Sequence, residues 1–237
     1  MSLRPKRRAI IHDAPDHWVG WGRIMQLHDR ATKLDQDLLR KSDRDLQRKQ
    51  YSLYFVVLFE TGGRLWEILS LRPEQIEYDD FVIKIERMVV LKRRERYTRN
   101  VFIKIEGNHL ALPFIEHVEE CDTKYLLPGY GIPFGREIDP ESHISTTHVY
   151  NRICKIDPNI WPHWIRDQRS WHLSADEEDG GRGFDSYELR EWYKWASMDM
   201  PAYYAGRRGE KDILDKLGIK DVGKNIGEEE NDTPQIE

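Results

Sequence analysis

The chain has 237 residues, 33% of them charged, and a net charge of −5, enough for one sizeable domain or two small ones. No stretch approaches the roughly 18 apolar residues of a membrane span. The basic opening Met1–Asp16 lacks the apolar segment of a signal peptide, and Cys121 and Cys154 have neither metal-ligand nor redox spacing. A cytoplasmic protein with reduced thiols is therefore expected. The acidic balance argues mildly against a nucleic-acid coat. The charges are segregated, however, with basic clusters at Arg4–Arg8, Lys92–Arg99 and Arg207–Lys211 and acidic ones at Asp176–Asp179 and Glu228–Asp232. Such a chain is able to hold phosphate in a basic groove and be acidic elsewhere.

In chain order, residues 16–40 read as mixed helix and turn with little apolar periodicity. Ser42–Asp45 resembles a capping box, and the helix it starts carries Leu46, Tyr51, Tyr54, Phe55, Leu58 and Phe59, a face dense enough for the central core. Gly62 and Gly63 stop it, because glycine takes the left-handed cap conformation freely. A second helix is expected from Arg64 to about Leu71, with Leu65, Ile68 and Leu69 on one side and Pro73 ending it. Phe81–Ile85 and Arg99–Ile105 alternate as strands, Met88–Leu91 extends the first, and the basic run between them forms a hairpin end or sheet edge. Helical patterns return at Leu110–Glu120, Thr146–Cys154 and Pro162–Leu173. A polar loop, Asp176–Gly183, precedes a capping box at Asp185–Glu188 and a helix with Leu189, Trp192 and Tyr193. A last helix at Lys211–Leu217 leads to an acidic tail expected to be flexible. The class is α+β, mainly α, with a small antiparallel sheet.

Four segments supply residues suited to holding a phosphodiester while an oxygen nucleophile attacks it. In the run Thr61–Leu71, Arg64 opens a helix, where amides and dipole also favour anions, and a guanidinium presents a planar fork to two phosphate oxygens. Glu67, one turn on, is placed to hold it. Taken alone, such a pair is an ordinary helix-surface ion pair. His163 and Arg166 emerge from one helix face, one able to exchange a proton near neutral pH and the other a fixed charge. Trp195 precedes Tyr203 and Tyr204. A phenol is a poor nucleophile that needs surrounding cations and a proton acceptor, although most such aromatics simply pack on the core. Lys92, in the basic hairpin, is placed to protonate a departing DNA oxygen, while most of its neighbours are expected to be solvated.

Together, the order and spacing of these segments resemble the tyrosine recombinase (phage integrase) family. The matching features are a T-G-x-R-x-x-E-x-x-x-L box, a hairpin lysine, H-x-x-R, and His or Trp followed nine residues later by the nucleophilic tyrosine. From Trp195 that count reaches Tyr204, not Tyr203. Pro162–Leu173 with Leu189–Ala205 looks particularly like archaeal integrases, and the resemblance covers about Ser42 to Gly206.

The resemblance implies residues 1–41 as an N-terminal arm or helix, 42–206 as the catalytic domain, and 207–237 as a C-terminal helix and acidic tail. It implies that Arg64 and Arg166 grip the scissile phosphate, that Lys92 is the general acid for the 5′-oxygen, and that His163 is proton acceptor or phosphate ligand. Trp195 would brace the pocket through its indole N–H, and Tyr204 would form a 3′-phosphotyrosyl link. Arg93, Arg94, Arg96, Arg99, Arg207 and Arg208 would contact DNA. The link conserves bond energy, so neither ATP nor a metal nor another cofactor is implied. Double-stranded DNA is the expected partner, bound by a homodimer or homotetramer, with no membrane and no small-molecule substrate.

Three features depart from the pattern. The hairpin is longer than usual, so Lys84 or another basic residue is an alternative to Lys92. The span from Arg166 to Trp195 is also longer, with the excess in the Asp176–Gly183 loop. Only about forty residues precede the expected catalytic domain, too few for an N-terminal DNA clamp. Two further readings stay open: a non-catalytic DNA-binding or recombination-regulating module that keeps the fold, and an enzyme resembling type IB topoisomerases that relaxes DNA by the same chemistry.

Overall fold

The computed structural model describes residues 17–41, 50–92, 95–130 and 138–205. The expected helix start at Ser42–Asp45, the helix at Lys211–Leu217 and the acidic tail lie outside the described residues. The fold is helical with two small antiparallel sheets, one of three strands and one of two. No described helix is long and apolar enough to cross a membrane.

Its centre is α2, Tyr51–Thr61, buried on every side. A helix apolar all round has no solvent face, and α2 accordingly packs against α1 (Gly20–Lys41), α4 (Ala111–Glu119), α5 (Thr146–Ile156) and α6 (Pro162–Ser174). The start of α2 is capped from another helix. Asp35 on α1 accepts hydrogen bonds from the backbone N–H groups of Gln50, Tyr51 and Ser52 at 2.7, 2.9 and 2.9 Å, and from the Ser52 hydroxyl at 2.6 Å. These are amides that the helix itself leaves unpaired.

The expectation of mixed helix and turn over 16–40 is corrected, because α1 is one continuous helix. Ile24, Leu27 and Ala31 are fully buried, and Leu34 and Leu38 pack against the core on the same face. The spacing is helical but the stripe is narrow, as suits a helix laid across the outside of the core. Arg23 and Arg30 pin it to Asp157, just beyond α5, at 2.9 and 2.6 Å.

Gly62 ends α2 as expected, with φ of 55°, and its N–H returns to the carbonyls of Leu58 and Phe59. The second helix is shorter than expected: α3 covers Leu65–Leu69, with Arg64 as its N-cap, and Pro73 opens a 3-10 turn rather than closing the helix. Next come β1 (Ile76–Tyr78), which the sequence pattern did not suggest, β2 (Val82–Lys92) and β3 (Glu95–Lys104). The β2–β3 register confirms the hairpin, with a bulge between Ile85 and Met88. Arg87 takes φ of 49° there, inserting one residue, so that Met88 and Val90 continue the buried face begun by Ile83 and Ile85. β4 (Pro128–Tyr130) pairs with β5 (Ile138–His143).

The last elements are α7 (Ser186–Tyr193) and α8 (Asp199–Ala205). The expected capping box holds α7: Asp185 accepts from the Tyr187 and Glu188 N–H groups, while Glu188 accepts from that of Asp185. Trp171, Leu173, Leu189, Tyr193, Tyr204 and Ala205 form a second core cluster, separate from the one around α2.

Candidate active site

The site lies where the turn after α2 meets α6, α7 and α8. Gly62 makes that turn possible. Its left-handed backbone suits glycine, and a Cβ there would stand 2.5 Å from the Tyr193 hydroxyl. The close approach leaves the Gly62 carbonyl to accept a hydrogen bond from the Arg166 guanidinium.

Glu67 is the anchor of the arginines. Fully buried on α3, it accepts from the Arg64 N–H at 2.8 Å and from Arg64 Nη1 at 3.0 Å. Oε2, the oxygen that accepts the backbone N–H, also lies 3.7 Å from Arg166 Nη1. Arg64 remains 44% exposed in its side chain, free to reach outward, whereas Arg166 is buried. Burial lowers the pKa of Arg166, opposed by Tyr193 and Glu67.

From Arg166 a run of stacked rings leads to the tyrosine. The Arg166 guanidinium lies 4.4 Å over the Tyr193 ring and 5.9 Å over that of Trp195. Trp195 stacks on Tyr193 at 4.4 Å and is nearly parallel to Tyr204 at 5.8 Å. Lys194, with φ of 51°, ends α7 and turns the chain so that Trp195 falls between the two tyrosines. Tyr204 is 5% exposed and Tyr203 is 50% exposed. Tyr204 also meets Trp171 edge-on at 4.8 Å.

The Tyr204 hydroxyl donates to Asp167 Oδ1 at 2.7 Å, and His163 Nε2 lies 3.7 Å from the same oxygen. Burial and the Asp167 carboxylate raise the phenol well above its ordinary pKa. Burial likewise raises the Asp167 carboxyl, against the lowering influence of His163, the Tyr204 hydrogen bond and Arg166. Among the described residues, then, the structure joins Arg64, Glu67, Arg166, Trp195, Tyr204 and, through Asp167, His163 in one continuous set of contacts.

Three outcomes differ from the sequence reading. Arg99, expected among the DNA contacts, is 2% exposed and turns inward. It donates to the carbonyls of Trp192 and Thr61 at 2.6 and 2.7 Å and lies 5.3 Å over Tyr193. Burial pulls its pKa down to about 10, so it stays charged at neutral pH and braces the turn from below. Its sequence signal is the alternation with Val101 and Ile103, both fully buried. Asp167 was not singled out, although it stands one helical turn after His163 and next to Arg166. Tyr193 likewise emerges as the platform beneath both buried arginines.

Lys92 closes β2 opposite Glu95, and its side chain, like that of Arg96, lies outside the described residues. So do Arg93, Arg94, Arg207 and Arg208. Lys84, the alternative, is tied to Glu86 at 2.5 Å and lies 3.8 Å from Glu77.

Around the single carboxylate of Glu67 stand the guanidinium groups of Arg64, Arg99 and Arg166. Fixed cationic groups in excess, partly shielded from water, favour an anion and stabilise charge that develops on it.

No protein-family model and no curated protein matches the sequence. Solved structures do. The chain is similar to the XerA recombinase with a TM-score of 0.53 and 14% identity, over 86% of this chain and 64% of that one. It is similar to the XerH site-specific recombinase bound to palindromic difH substrate in a post-cleavage complex, with a TM-score of 0.51, 14% identity, and 88% and 54% coverage. The XerH pre-cleavage complex with difH gives 0.50 and 16%, over 80% and 50%. The chain thus spans between half and two thirds of the length of these proteins.

Proposed function

We propose that this chain, which has the tyrosine-recombinase fold, cleaves and rejoins double-stranded DNA through a phosphotyrosyl bond at Tyr204, with residues 42–206 as the catalytic unit. One observation carries the reading: the arginine pair Arg64–Arg166, bridged by Glu67, is joined to Tyr204 through the stacked rings of Tyr193 and Trp195. A cationic phosphate cradle beside a hydroxyl nucleophile is what phosphoryl transfer by a side chain requires.

In this reading Arg64, exposed and aimed by Glu67, and Arg166, fixed from below, hold the non-bridging oxygens of the scissile phosphate. The Tyr204 oxygen attacks phosphorus as the bond to the 5′-oxygen breaks. Lys92 gives that oxygen its proton, and a 5′-hydroxyl later reverses the link. Trp195 orients the tyrosine by stacking. XerH, whose structures hold its DNA substrate before and after cleavage, supports DNA as the substrate class here. A homo-oligomer assembled on the DNA is part of the proposal.

A non-catalytic DNA-binding module is the second reading, favoured by the burial of Tyr204 with its hydroxyl held by Asp167. Incubation with a pool of nicked duplexes of random sequence, followed by denaturing electrophoresis, separates the two. The enzyme leaves a covalent protein–DNA adduct. Duplex binding with no adduct supports the module.

A further inference from the structure

We infer that Asp167 is the group that takes the proton from the Tyr204 hydroxyl when the tyrosine attacks DNA. The inference rests on the proposed strand-cleavage reading and deepens it. It assigns the proton acceptor to a residue that the family motifs do not single out, although it directly follows the arginine of H-x-x-R.

The geometry is direct. The Tyr204 hydroxyl already points its hydrogen at Asp167 Oδ1, 2.7 Å away. His163 Nε2 is 3.7 Å from that same oxygen, too long for a hydrogen bond, and its side chain is 66% exposed. His163 is therefore placed behind Asp167 as a link to solvent, not in front of it as the direct base.

The charged and titratable groups around the pair are few. His163 and Arg166 face Asp167 from its own helix, Tyr204 faces it from α8, and Tyr193 on α7 and Arg166 face Tyr204. None of the others is hydrogen-bonded to the Tyr204 hydroxyl among the described residues. In the resting site burial keeps that phenol protonated, so its proton must leave as the new bond forms. Burial also makes the Asp167 carboxylate a stronger base than a solvated aspartate, which favours the transfer.

The Tyr204 oxygen–phosphorus bond forms while the phosphorus–5′-oxygen bond breaks. The phenol proton passes to Asp167 Oδ1, and the departing 5′-oxygen receives a separate proton from Lys92. On rejoining, the 5′-hydroxyl displaces the tyrosine, Lys92 recovers its proton, and Asp167 returns the other to the phenolate. No oxidant or reductant enters.

The test compares single-turnover cleavage of the nicked duplex pool by the full chain and by Asp167→Asn and Asp167→Glu across pH. Cleavage by Asp167→Asn is expected to fall about 100-fold or more. It is also expected to lose the acid limb of the pH profile, while Asp167→Glu keeps the limb and part of the rate. Fluorotyrosine at position 204 of the otherwise native chain guards against a misfolded variant. The acid limb belongs to Asp167, so it should stay in place although the phenol is more acidic. A limb that moves with the phenol overturns the inference, as does Asp167→Asn cleaving at the native rate and pH profile, or faster. An adduct from the native chain with an unchanged Asp167→Asn variant defeats this inference alone. No adduct from the native chain on DNA it binds defeats the strand-cleavage reading, and the inference with it.

Discussion

Glu67 and Arg166 meet as a buried pair, 3.7 Å between Oε2 and Nη1, although they come from helices α3 and α6. Glu67 also holds Arg64 at 3.0 Å, so one carboxylate sets the spacing of both expected phosphate ligands. Removing it leaves Arg166 buried without its counter-charge. Glu67→Ala is expected to lower stability by about 3–5 kcal/mol, read from urea melts, and to weaken duplex binding because Arg64 loses its direction. A variant as stable as the native chain contradicts the bridging role.

The turn at Gly62 carries a second expectation. Alanine there pays for a left-handed backbone and places a methyl group 2.5 Å from the Tyr193 hydroxyl. Gly62→Ala should cost about 2 kcal/mol or more, combining backbone strain with steric overlap. Tyr193→Phe removes the nearest clashing atom, so the double variant should lose less than the sum of the two single losses.

Arg99 separates architecture from DNA contact. Its guanidinium serves two backbone carbonyls inside the fold, so Arg99→Met should lower the denaturation midpoint by an amount equivalent to about 2–3 kcal/mol. Direct contact with DNA would appear differently. Loss of a phosphate ligand reduces the slope of log affinity against log salt by about one unit. For Arg99→Met at temperatures where it is folded, the slope should equal that of the native chain. A reduced slope contradicts the structural role.

How far the sequence foretold these relationships depends on the kind of interaction. The glycine stop, the hairpin, the α7 capping box and the core face of α2 follow from local rules, and all are present. The cap on α2 is not local: Asp35 reaches it from another helix, and nothing in the spacing of Gln50–Ser52 announces that partner. Charge runs suggest solvent and so place Arg99 with its basic neighbours, whereas its two-residue alternation with Val101 and Ile103 points inward. Asp167 escaped notice because its significance requires Tyr204, which the fold brings to it from α8. The order of the segments along the chain points to Arg64, Glu67, Arg166, Trp195 and Tyr204 as candidates. The contacts that join them are tertiary.

Stability should also depend on pH through His172. Burial, reinforced by Arg169 and Arg182, holds this imidazole well below its ordinary pKa. Below about pH 6.5 the unfolded chain binds a proton that the folded chain refuses, so stability falls with falling pH until the folded-state value is reached. The limiting slope from this group is about 1.4 kcal/mol per pH unit. Glu60, raised by burial, acts oppositely: above pH 4.5 the folded chain holds the extra proton, and stability falls as pH rises through its folded-state value. Comparing urea melts of the native chain and His172→Gln between pH 7.5 and 5 isolates the histidine. The variant should show the smaller loss on acidification.

Strand cleavage by Tyr204 is tested most directly by which tyrosine becomes bonded to DNA. Tyr204→Phe and Tyr203→Phe each change one hydroxyl, and both can be incubated with the nicked duplex pool beside the native chain and resolved on a denaturing gel. The expected result is a covalent adduct from the native chain and from Tyr203→Phe, and none from Tyr204→Phe. An adduct that survives in Tyr204→Phe, or no adduct from a native chain that binds the duplex, would contradict it.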